Sequence, residues 1–162
     1  MLKAVALFIF LSTSIFTFAQ VGIVPRDATL ADSTDTKFKV GQVWHYQTRK
    51  GEEQSALTVL KIDKAPGVGV IIHVAIRGIQ YHNCKGGEAP DYIAHMPFSK
   101  KALEASVTEL VASNQPIPDF FDAYGQWHDL YKDHKAGIYT SSVAESLDFG
   151  EKTFRKGLGC TE

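Results

Sequence analysis

The chain has 162 residues, 44% of them hydrophobic, and its 17 Lys and Arg against 18 Asp and Glu leave a net charge of −1. That length suits one ordinary domain, and the apolar fraction excludes a disordered acidic chain. The near-neutral balance argues against a nucleic-acid surface, which needs Lys and Arg in excess on one face.

Lys3 is the only charge before Arg26, and an apolar run from Ala4 to Phe18 follows it. About 15 apolar or small residues fall short of the roughly 20 that a membrane span requires, so the pattern predicts a secretory signal over 1–19, cut after Ala19. The expected product is exported, periplasmic or secreted, with no membrane span after cleavage. Residues 20–37 contain Pro25, Asp27, Asp32 and Asp35 without periodicity; they read as a flexible leader, and 38–162 as a single α+β domain.

Strand-like alternation comes first. Residues 42–49 set Trp44, Tyr46 and Thr48 on one side and Val43, His45, Gln47 and Arg49 on the other. A polar turn leads to a second strand over 56–62, and Ala65-Pro66-Gly67-Val68-Gly69 is the next turn. Residues 70–79 form the strongest strand, with Val70, Ile72, Val74 and Ile76 sharing a face. Residues 92–96 can add another. The expectation is an antiparallel β-meander of three to four strands over about 38–96.

Export changes how the two cysteines are read. In an oxidising compartment Cys84, in the loop after the third strand, and Cys160, beside Gly157 and Gly159, are expected to form a disulfide.

The period then changes to that of helices. Ser99 caps a first helix with a stripe of Leu103, Val107, Leu110 and Val111. Asp119 caps a second, with Phe120, Tyr124, Trp127 and Tyr131 as its stripe and Gly137 as the left-handed residue past its end. Ser142 and Glu145 form a capping box opening a third, whose stripe is Val143, Leu147, Gly150 and Phe154. Strands followed by three helices over about 100–156 imply α+β, with the helices packed on one sheet face.

If Trp44, Tyr46 and the Val70–Ile76 row face those helices, then His45, Gln47, Arg49, His73 and Arg77 project from the opposite face. Such donors on a rigid sheet suit a small anionic ligand or an acidic protein surface. A one-residue slip of the middle strand would exchange its two sets of side chains, and the sequence does not specify that register. Phe120, Phe121 and Trp127 belong to an aromatic cluster denser than one helix face requires, and form a candidate anchor for a partner.

The six histidines show no H-x-x-x-H or H-E-x-x-H spacing, and no metal or other cofactor is expected. There is no G-x-S-x-G elbow, and neither Gly67-Val68-Gly69 nor Gly86-Gly87 matches a phosphate loop. The expectation is therefore a small, exported, non-catalytic binding protein of an inhibitor, immunity or envelope-accessory type. The alternative is a small exported hydrolase built on His45, His73 or His95 with nearby carboxylates.

Overall fold

Turn chemistry and alternation together dictate the central hairpin. β3 (Ala56–Ala65) returns as β4 (Gly69–Arg77) through a turn in which Gly67 and Gly69 have φ of 71° and 87°, a region glycine enters without strain. The computed structural model describes residues 29–160; the expected signal segment and the first part of the expected leader lie outside the described residues. Around the hairpin are β1 (Ala31–Asp32), β2 (Val43–Tyr46) and β5 (Tyr92–Ser99). A final strand, β6 (Val107–Ala112), completes a six-stranded antiparallel sheet of order β5-β4-β3-β2-β6, with β1 beside the far end of β3.

The architecture is α+β, with more strands than the expected three to four. One extra strand is β1, which Ala31 and Asp32 contribute from the stretch read as leader. The other replaces half of an expected helix. The helix α1 (Lys100–Ser106) is capped by the Ser99 hydroxyl, which accepts from Ala102 N, but it stops where Val107 turns to extended backbone. The apolar spacing of Val107, Leu110 and Val111 fits a helix. The open edge of β2 instead offers a hydrogen-bonded partner to a segment rich in β-branched residues.

The two remaining helices are α2 (Phe121–Lys132) and α3 (Val143–Gly157). The capping box of α3 forms as the sequence predicts, the Ser142 hydroxyl accepting from Glu145 N and the Glu145 carboxylate from Ser142 N. The left-handed residue after α2 is His134, at φ 58°, not Gly137.

The helices do not share a face. Trp44, Leu57, Val59, Ile72, Val74, Ile76 and Phe98 pack with Leu103 of α1 and with Val143 and Leu147 of α3. The opposite face carries Ala65 and Ile71 against Trp127 and Tyr131 of α2, and Leu60 and Ala75 against Phe120. The aromatic stripe of α2 covers the sheet side that α1 and α3 leave open.

Two ties hold α3. Arg49, just past β2, forms ion pairs with Glu52 of the following turn and with Asp148 and Glu151 of α3. Cys84 and Cys160 are disulfide-bonded with Cα atoms 6.0 Å apart, linking the loop after β4 to the end of α3. Among the described residues no helix is long and apolar enough to cross a membrane.

Candidate functional site

Alternation places the site. Lys61 pairs with His73 and Asp63 with Ile71, so Lys61, Asp63 and His73 share the face beneath α2. His73 pairs in turn with Pro97 of β5, and His95 lies two residues along on the same side. A register irregularity between Val74 and Ile76 follows in this strand pair.

These neighbours form one chain of contacts. Asp63 accepts from Lys61 Nζ through Oδ1 and from the Tyr124 hydroxyl through Oδ2, the latter at 2.8 Å. His73 Nε2 stands 3.2 Å from Asp63 Oδ2, a contact too bent to count as a regular hydrogen bond. His73 Nδ1 meets His95 Nε2 at 2.9 Å. The two imidazoles are tilted by only 15° with centroids 5.1 Å apart, as expected of rings meeting nitrogen to nitrogen near a common plane. Tyr124 and Trp127 stand edge-on to His73 at 5.2 and 4.9 Å and seal it from water.

Burial sets the charges. His73 is wholly buried, and desolvation holds its imidazole below the usual range despite the Asp63 carboxylate. Desolvation, aided by His73, lowers His95 to about 3. Burial alone would raise the Asp63 carboxyl, but its contacts with His73, Lys61 and Tyr124 outweigh this and hold it well below the ordinary value. The arrangement is an ionised carboxylate followed by two neutral imidazoles.

The chain ends at a cavity of about 400 Å³, within the range of roughly 300–1,000 Å³ typical of small-molecule sites. His95 and Pro97 of β5, Ala123, Trp127 and Leu130 of α2, and Tyr139 are among its lining residues, with Phe149 of α3 completing the wall. Tyr139 is locked beside β5, its N–H donating to Pro97 O and its carbonyl accepting from Ser99 N. Leu130 and Phe149 are about half exposed. Among the described residues no three His, Cys, Asp or Glu side chains converge as metal ligands; His73 and His95 direct nitrogens at each other.

The sequence-based sheet-face set is only partly gathered here. His45, His73 and Arg77 do share a side of the sheet, through the pairs His45 with Ala56 and Ala56 with Arg77. His73 is buried under α2, whereas Arg77 is exposed and stacks over Tyr92 at 4.3 Å. Gln47 and Arg49 lie beyond the end of β2, and the Arg49 charge is engaged by three carboxylates. None of the five lines the cavity. Of the aromatic set, Phe120 is buried, Phe121 is exposed and stacks on it at 5.0 Å, and Trp127 lines the cavity while its Nε1 donates to Gly137 O.

Sequence reasoning missed Asp63 because it ended the second strand at residue 62, passed over Lys61 within that strand, and read Tyr124 only as part of the α2 stripe. The alternation Lys61-Ile62-Asp63-Lys64-Ala65 was the available signal, continuing the strand to the turn. No protein-family profile matches the chain, and no curated protein or solved structure shows significant similarity to it.

Proposed function

We propose that this is an exported, non-catalytic binding protein that takes a small, largely apolar ligand into the cavity between β5, α2 and α3. The observation carrying the reading is a half-buried imidazole, His95, presented to mainly apolar walls and held from behind by His73 and Asp63, with the Gln126 side chain and the Tyr139 phenol as the other polar groups of the lining. Sites of this composition bind through apolar burial and are oriented by a few fixed polar atoms. The Cys84–Cys160 bond is consistent with an oxidising, exported location. An NMR titration with small neutral aromatic probes tests it. Saturable shifts are expected at the Trp127 indole and at Ala123, and Ala123→Trp is expected to abolish them by filling the cavity. Absence of saturable shifts at lining residues across the probe set overturns the reading.

The Asp63–His73–His95 order also supports a second reading, a hydrolase in which His95 acts as general base on water. No Ser, Thr or Cys is among the lining residues to act as nucleophile. Turnover of small neutral esters, lost in His95→Gln while probe binding persists, would favour it over simple binding.

A further inference from the structure

Every proton position in the Asp63–His73–His95 chain follows from its one carboxylate. Ionised Asp63 can only accept, and it already accepts from Lys61 and Tyr124. His73 Nε2, 3.2 Å from Oδ2, must carry a proton, since a bare nitrogen there would set lone pair against lone pair away from water. A neutral imidazole has one N–H, so His73 Nδ1 is an acceptor and the 2.9 Å contact requires the proton on His95 Nε2. By the same count His95 Nδ1 is a bare lone pair. Among the described residues nothing bonds to it, and it is not one of the buried polar atoms sealed without a partner. With Nε2 engaged by His73, we assign Nδ1 as the ring nitrogen that His95 offers to the cavity it lines.

We infer that the cavity selects neutral apolar ligands bearing an O–H or N–H donor, of the phenol or aryl-alcohol class, over ethers and carboxylates of the same size. The inference rests on the cavity being a ligand site, as proposed above. A donor satisfies His95 Nδ1. An ether or carboxylate oxygen would face it lone pair to lone pair, both having lost their water. A mismatch of that kind costs roughly tenfold or more in affinity.

Asp63→Asn reverses the chain. Lys61, which can only donate, holds the amide oxygen on the Oδ1 side; this turns the amide nitrogen towards His73 Nε2 as a donor and requires the Tyr124 hydroxyl, a donor to Oδ2 in the wild type, to turn and accept. His73 then donates from Nδ1 to His95 Nε2, and His95 presents an N–H to the cavity.

The test is a pair of measurements on the full disulfide-bonded protein. Long-range proton–nitrogen NMR near pH 7 is expected to find wild-type His95 protonated at Nε2. Titration is expected to show 2-naphthol binding roughly tenfold or more tightly than 2-methoxynaphthalene or 2-naphthoate. In Asp63→Asn the preference for naphthol over its ether collapses and 2-naphthoate gains; should that variant not fold, the two wild-type measurements decide alone. Wild-type His95 protonated at Nδ1 overturns the inference. Equal affinity for naphthol and its ether overturns it while leaving the cavity as a binding site. No saturable binding of any of the three probes overturns both.

Discussion

On one face of the sheet Leu57, Val59, Ile72, Val74 and Phe98 meet α1 and α3 through aliphatic and aromatic contacts. On the other, the same strands carry Asp63 and His73 into the interior beneath α2, with His95 beside them. Apolar burial of the first kind stabilises in proportion to area removed from water. Burying a carboxylate and two imidazoles carries a desolvation cost that their mutual contacts at best offset. A fold gains little stability from the second arrangement, which fits the proposal that it holds one nitrogen in a set protonation state at the cavity.

Acid separates the two faces most. Asp63, His73 and His95 all have folded values below their unfolded ones, so the unfolded chain binds more protons as pH falls. Their stabilising contribution is complete above the unfolded values, about 6.5 for histidine and about 3.9 for aspartate, and is lost on acidification. For His95 the window runs from about 6.5 down to about 3. Urea unfolding between pH 7 and 4 is expected to show falling stability, with a shallower slope in His95→Leu. A flat wild-type profile would mean that these rings are not buried neutral.

The apolar face is sharpened by Leu147→Ala. Leu147 is wholly buried between α3 and the sheet, and its truncation is expected to cost about 2–5 kcal/mol. Probe affinity at the cavity and the His95 NMR signals are expected to stay unchanged. Affinity falling in step with stability would show that the two faces are not independent.

The smallest effect belongs to the outer end of the site face. Arg77→Ala removes a stacking contact over Tyr92 from an exposed position, worth about 0.5–1 kcal/mol. Thermal unfolding is expected to shift little, and a large shift would make Arg77 a structural residue.

Local rules carried far in this chain. Hydrophobic alternation located the central strands, and it put Val70, Ile72, Val74 and Ile76 on the core face because a pleated strand leaves side chains only two directions. The Ser142–Glu145 box marked the start of α3, since orphan N–H groups need a nearby acceptor. The Cys84–Cys160 pairing could be read from there being two cysteines and an expected export signal. Three matters were decided only in the tertiary structure. Val107–Ala112 became a strand because the free edge of β2 offered backbone partners that no local pattern records. α2 took the second face because α1 and α3 already occupied the first. Asp63, His73 and His95 met because cross-strand register aligned three strands, and register is set by pairing and bulges far apart in sequence rather than by any residue's own preference.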